Sequence, residues 1–186
     1  MTVPLPFTPA TTVGIYDSPA GAIFGPGGRN ASPYRYLLWR RWSEAPPLVW
    51  VMCNPSTADD RELDPTLRRV RGFSQRVGAG GFIVANLFAL RSPNPRDLDK
   101  ASDPWGPDCE AAWRTALDLA APDRLVVGWG GVGDRFDAPQ RFQAACREAG
   151  VSPRCLGVTK AGMPKHPLYL PADAPFLPWG RQWARL

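Results

Sequence analysis

An uncharged apolar run, residues 48–53, ends abruptly at Asn54-Pro55-Ser56. Six consecutive apolar residues, some of them β-branched, predict a strand that is buried on both faces of a sheet. Pro55 ends this strand because it lacks a backbone donor and biases Asn54 towards an extended or turn conformation. Polar side chains therefore follow the carboxyl end of a buried strand, which is where open α/β sheets bind ligands. A simple turn without function is the alternative interpretation.

Strand and helix patterns alternate along the rest of the chain. Buried strands are predicted at residues 48–53, 82–88, 125–129 and 154–158, with helices following Asp64, Pro107 and Asp137. This alternation favours an α/β fold, a three-layer α/β/α sandwich with a central, mainly parallel four-stranded sheet. A further strand at 34–39 is expected to pair antiparallel with the strand at 48–53. Residues 1–32 are expected to form an N-terminal extended or antiparallel edge segment.

Length, charge and cysteine content narrow the class of protein. The 186 residues fit a single domain, 1–186, with its core at 34–169. The net charge of +5 and the pI near 9.3 are compatible with a polyanionic partner but do not require one. The four cysteines contain no Cys-x-x-Cys pair, so no cofactor, metal or iron–sulfur cluster is predicted. Without a signal or membrane-spanning pattern, a monomeric cytoplasmic protein is expected.

Two further polar residues fall at predicted strand ends. Asn86 interrupts the apolar run at 82–88, where an amide would be buried and would need hydrogen-bond partners. Neighbouring backbone could satisfy it; alternatively its one acceptor and two donors could read the edge of a nucleobase. His166, the sole histidine, lies in a Gly/Pro-rich loop after the fourth strand. If the strands are parallel, Asn54, Asn86 and His166 lie at the same edge of the sheet.

Together these residues resemble the uracil-DNA glycosylase superfamily, and the pattern is most similar to the family of the domain of unknown function 1643 (DUF1643). The resemblance covers roughly residues 34–169. It is carried by five motifs: Asn54-Pro55-Ser56-Thr57-Ala58-Asp59, Asp64-Pro65-Thr66, Asn86-Leu87-Phe88-Ala89, Trp129-Gly130 and His166-Pro167-Leu168-Tyr169.

The resemblance implies a role for each of three residues. Asn54 would hold a hydrolytic water, Asn86 would read a flipped base, and His166 would stabilise the negative charge that develops on the departing base. The most active branch of the superfamily has aspartate and tyrosine where this chain has Asn54 and Ser56. Because asparagine cannot act as a general base, Asp59 is a candidate for the missing carboxylate.

The leading hypothesis is hydrolysis of the N-glycosidic bond of a damaged or modified base in DNA. The residues assigned to base binding are Asn86, Ser56 and the candidate stacking residues Phe88, Trp129 and Tyr169. The residues assigned to phosphate contacts are Arg91, Lys160, Lys165 and Arg69. The alternatives are a hydrolase acting on a free nucleoside, nucleotide or nucleotide-sugar, and a non-catalytic binder of modified bases or nucleic acid. A serine hydrolase of the α/β class is disfavoured because the sequence has no Gly-x-Ser-x-Gly motif, and a P-loop enzyme because it has no Gly-x-x-x-x-Gly-Lys-Ser/Thr motif.

Overall fold

The computed structural model describes residues 16–56 and 62–180. Its strands are β1 Ala20–Phe24, β2 Arg35–Arg41, β3 Leu48–Met52, β4 Gly81–Asn86, β5 Leu125–Val127, β6 Arg154–Cys155 and β7 Leu177–Pro178. Its helices are α1 Gly28–Ala31, α2 Pro65–Arg76, α3 Cys109–Leu119 and α4 Ala138–Glu148. Three short 3₁₀ turns complete the secondary structure, at Pro95–Lys100, Gly131–Gly133 and Pro167–Tyr169.

The strands form one mixed sheet in the order β1-β2-β4-β3-β5-β6-β7. The inner strands β4, β3, β5 and β6 are mutually parallel, while β2 and β7 pair antiparallel with their inner neighbours. The predicted α/β class is therefore confirmed. The predicted strand count is wrong, because seven strands rather than four make up the sheet, and β1 forms its antiparallel edge next to β2.

The predicted pairing of the strand at 34–39 with the strand at 48–53 is also wrong. β2 pairs with β4, where Leu38 lies opposite Val84. Both edges of β3 are already occupied by parallel neighbours, with Val49 opposite Ile83 of β4 and Leu125 of β5. β3 therefore lies inside the sheet, the position favoured by its uninterrupted apolar sequence.

The alternating side chains of β3 divide the core into two halves, one on each face of the sheet. Trp50 and Met52 point to the face covered by α2, where they join Val70 and Phe73. Val49 and Val51 point to the opposite face, which α3 and α4 cover with side chains including Trp113 and Phe142. Helices therefore cover both faces, as a strand buried on both sides requires.

Helix α2 begins at the residue that the sequence indicates. The Asp64 carboxylate accepts a hydrogen bond from the Leu67 backbone N–H at 2.7 Å, and Pro65 occupies the first helical position. The apolar face of the helix packs on the sheet through Leu67, Val70 and Phe73. The start of α2 is thus fixed beside the end of β3.

The described residues contain no helix long and apolar enough to span a membrane. All four cysteines are free and buried. Burial raises the pKa of the Cys53 and Cys146 thiols to about 12 and also raises those of Cys109 and Cys155, so all four are protonated at neutral pH. Within the two described ranges, no group of three or more His, Cys, Asp or Glu side chains could hold a metal ion.

The hydrogen bond between Trp50 and Ser74 provides a test of this packing. The Ser74 hydroxyl accepts from the Trp50 indole N–H at 3.1 Å and donates to the Val70 carbonyl, all in the core. Ser74→Ala leaves the indole N–H without a partner, so we expect the free energy of unfolding to fall by about 1–3 kcal/mol in urea denaturation. Gln75→Ala, on the exposed side of the same helix, is the control. An equal loss in both variants would contradict the assigned role.

Candidate functional site

A cleft of about 250 Å³ lies at the carboxyl ends of β3 and β4, on the face of the sheet that α2 covers. We call it the β3–β4 cleft. Its polar and ionisable lining side chains are Arg35, Asn54, Ser56, Asp64, Thr66, Asn86, Ser92, His166 and Tyr169. A larger groove of about 470 Å³ separates α3 and α4, but it contains none of the motif residues.

The pairing of β3 with β4 explains why two asparagines distant in sequence meet. Met52 lies opposite Asn86 in the parallel register. Side chains two residues apart share a face in an extended chain, so Asn54 continues the row of Met52 and Asn86 continues the row of Val84. All four side chains line the β3–β4 cleft.

The Asn54 side chain is held in one orientation by the backbone. Its Nδ2 donates to the carbonyl oxygens of Pro55, Leu90 and Ser92, at 3.1, 3.4 and 2.9 Å. Its Oδ1 accepts no hydrogen bond from the described residues. Because the donor end is fully used, Asn54 presents an acceptor to the cleft. Such an acceptor can hold a water or a ligand N–H, but it cannot remove a proton.

The Asn86 side chain, unlike that of Asn54, is not held by hydrogen bonds to the backbone of the described residues. Only 5% of the residue is exposed, yet its amide makes no hydrogen bond to any residue in the described ranges. The backbone carbonyl of Asn86, by contrast, accepts from the Trp113 indole at 2.7 Å. The amide lines the cleft, so its donors and acceptor are available there to a partner from outside the chain.

His166 approaches the same cleft from the loop after β6. Its Nδ1 accepts a hydrogen bond from the Leu168 backbone N–H at 3.3 Å, which leaves the proton of the neutral ring on Nε2. Burial lowers the pKa of His166 below its ordinary value, with a smaller opposing effect from the nearby Asp64 carboxylate. At neutral pH the imidazole is therefore uncharged and has one N–H donor.

Glycine after β5 allows the histidine loop to pack closely. Gly130 has a φ of 69°, a left-handed conformation that L side chains rarely adopt. An added Cβ at Gly130 would lie 3.4 Å from the His166 Cβ, and one at Gly128 would lie 3.1 Å from Pro167 Cδ. The end of β5 thus forms a surface against which the histidine turn rests.

Two charged residues, Asp64 and Arg35, also line the cleft. The sequence did not predict either of them as a site residue. Asp64 accepts from the Ser56 hydroxyl at 2.7 Å through Oδ2, while Oδ1 caps α2. Arg35, at the start of β2, is only 4% exposed. Its sequence signal is a charge between two tyrosines, directly before the apolar residues of β2, and a buried charge is rare unless it is paired or functional.

The predicted aromatic residues divide between the cleft and the core. Phe88 and Trp129 are fully buried and pack against Trp105 and Trp179, with ring centroids 5.5 and 5.0 Å apart. Neither lines the β3–β4 cleft. Tyr169 does line it; it is 82% exposed, and its ring centroid lies 5.7 Å from that of His166.

None of the predicted phosphate contacts lines the cleft. Arg69 donates to the Leu170 carbonyl, and Arg91 donates to the carbonyls of Arg29 and Ser32 at 2.8 and 3.2 Å. Lys160 and Lys165 are exposed. The remaining predicted catalytic residue, Asp59, lies outside the described residues.

Comparison with known proteins identifies one family. The model of the family described as "Protein of unknown function (DUF1643)" matches residues 35–168. Neither the curated proteins nor the solved structures gave a match. The matched segment spans more than half of the chain and contains Asn54, Asn86 and His166. The protein is therefore a member of the DUF1643 family.

Proposed function

We propose that the β3–β4 cleft binds a nucleobase and that the protein hydrolyses its N-glycosidic bond, in the manner of the uracil-DNA glycosylase superfamily. The substrate class is a damaged or modified base in DNA. The observation that carries this proposal is the Asn86 amide, which is buried, lines the cleft and has no partner among the described residues.

Three side chains supply a pattern that a base edge can complement. The Asn86 amide offers one acceptor and two donors, the Asn54 Oδ1 offers an acceptor, and the His166 Nε2–H offers a donor. Nucleobases carry donors and acceptors side by side on their edges. A base that enters the cleft could pair with donors and acceptors that make no hydrogen bond within the described residues.

The same groups fit the charge changes of N-glycosidic bond cleavage. The departing base becomes anionic and the sugar becomes cation-like, so a donor aimed at a base oxygen lowers the barrier. A neutral His166 can act as this donor without first gaining a proton. Asn54 would orient the attacking water through Oδ1, and the proton that this water loses as it bonds to the sugar carbon would neutralise the departing base anion. Cys53 also lines the cleft, but a thiol with a pKa of about 12 is a poor nucleophile.

The positions of the arginines favour a second candidate, a hydrolase or binder of a free nucleoside or nucleotide. Arg69 and Arg91 are bonded to backbone carbonyls rather than presented beside the cleft. Affinity for DNA would then depend little on salt, whereas a protein that contacts many phosphates loses affinity steeply as salt rises. Titrating oligonucleotide and free nucleoside at two salt concentrations separates the candidates.

Base release tests the proposal directly. The protein is incubated with oligonucleotides bearing uracil, hypoxanthine, xanthine or modified pyrimidines and with the corresponding free nucleosides, and released base is measured by mass spectrometry. For the substrate that reacts, we expect Asn86→Leu to lower kcat/KM by about 10- to 100-fold, since hydrogen bonds of about 1–3 kcal/mol are lost. No release from any substrate would reject the hydrolase and leave binding to be measured.

The same substitution should not destabilise the protein. Leucine has nearly the shape of asparagine and removes an amide that makes no hydrogen bond within the described residues, so the melting temperature of Asn86→Leu should equal or exceed that of the parent. Asn30→Leu, at an exposed position in α1, is the matched control and should alter neither activity nor stability. A large fall in melting temperature for Asn86→Leu would show that the amide serves the fold.

The protonation of His166 gives an independent test. As the only histidine in the chain, it produces a single Hε1 resonance whose NMR titration reports one pKa. We expect that pKa to lie below 6.5 because burial disfavours the charged ring. Base release should stay level from pH 8 to 6.5 and fall as the ring protonates, since a proton on Nδ1 would face the Leu168 N–H.

Stability should follow the same titration. With the folded pKa depressed, the unfolded chain binds the proton first, so this contribution is complete above pH 6.5 and is lost as the pH falls towards the folded pKa. In His166→Gln this part of the pH dependence should disappear. An unchanged pH dependence in that variant, or a measured pKa above 6.5, would contradict the buried neutral histidine.

A further inference from the structure

We infer that Arg69 of α2 is a positioning residue that holds His166 at the β3–β4 cleft through the turn Pro167–Tyr169. The inference rests on the proposed function only for its effect on base release. Its structural part concerns the free protein and can be tested without a substrate.

The hydrogen bonds of the turn connect Arg69 to the histidine. Arg69 Nη2 donates to the carbonyl of Leu170, the residue that ends the turn. The Leu170 N–H bonds to the Pro167 carbonyl, and the Tyr169 N–H bonds to the His166 carbonyl, both at 3.3 Å. The guanidinium therefore fixes the end of the same turn that His166 begins.

Packing on α2 keeps the guanidinium in place. The Arg69 Cζ lies 5.0 Å from the centroid of the Phe73 ring, at a distance where cation–π attraction is effective. Two turns further on, Arg76 donates to the carbonyls of Ala172 and Ala174 and lies over the rings of Phe73 and Phe176. Two arginines of α2 thus bind the segment 170–176, and Arg69 is the arginine nearer to the cleft.

Helix α2 also supports the opposite wall of the cleft. Asp64, its N-cap, binds the Ser56 hydroxyl just after β3. One rigid helix consequently fixes both the segment that follows Asn54 and the turn that carries His166. The relative position of the two walls therefore depends on the hydrogen bond by which Arg69 of this helix holds the turn at Leu170.

This role differs from the phosphate contact that the sequence indicates for Arg69. The residue does not line the cleft, and its guanidinium is bonded to a backbone carbonyl. The Nη2 group that would contact a phosphate is already bonded to Leu170. The two roles make opposite predictions for the histidine in the absence of ligand.

The experiment compares Arg69→Met with the parent protein by NMR of the single histidine. We expect the Hε1 resonance to shift, the fixed Nε2–H tautomer to give way to a mixture of tautomers, and the pKa of His166 to move towards 6.5. Base release should fall about 10- to 100-fold, as is usual when a reacting group moves by about 1 Å. Ser74→Ala, on the same helix but away from the turn, should lower stability without moving the histidine signal.

The remaining outcomes are decisive. An unchanged histidine signal in folded Arg69→Met overturns the inference, and a steep, salt-dependent loss of oligonucleotide affinity with that unchanged signal restores the phosphate contact. If Arg69→Met does not fold, Arg69→Lys retains a cationic donor group and should give a smaller shift of the same resonance; no shift overturns the inference. Absence of base release from the parent protein rejects the proposed function alone, since the NMR comparison still decides the role of Arg69.

Discussion

The parallel pairing of β3 with β4 determines where the candidate site forms. Both strands are inner strands, and their hydrogen bonding continues past their ends, with the Leu87 N–H on the Met52 carbonyl and the Phe88 N–H on the Cys53 carbonyl at 2.9 and 3.0 Å. The two chains therefore leave the sheet side by side. Because the strands share a direction, both place their first polar side chain at the same edge. Asn54 and Asn86 meet for this reason, although 31 residues separate them.

The features that could be predicted from the sequence are those with strong local signals. An uninterrupted apolar run identifies an inner strand, and an asparagine or a proline marks its end, so the α/β class and the meeting of Asn54, Asn86 and His166 followed from the pattern. The short strands and the antiparallel strands have weaker signals. β6 and β7 contain two residues each, and β2 reads like an inner strand that could pair with either neighbour. Its partner is chosen by the packing of the whole sheet, which local sequence does not encode.

The side chains around the site were harder to predict because an aromatic or charged residue has several uses. Phe88 and Trp129 follow buried strands as a stacking residue would, yet both fill the core beneath α3 and α4. Arg69 binds a carbonyl 101 positions away, and Arg91 binds one 62 positions away. In the sequence, a basic residue that binds a distant carbonyl cannot be told apart from one that binds a phosphate. Only the folded contacts distinguish the two.

The two asparagines of the cleft are not equivalent, and their difference bears on the chemistry. Asn54 has its donors bound by three carbonyls, so it is a fixed acceptor at a defined position. Asn86 keeps donors and acceptor available inside a buried wall. With a neutral His166 beside them, and with both oxygens of Asp64 already hydrogen-bonded, these groups are suited to orienting and recognising rather than to removing protons. A reaction whose leaving group carries the negative charge, and whose water attacks a cation-like centre, places the smallest demand on such a site for a strong base.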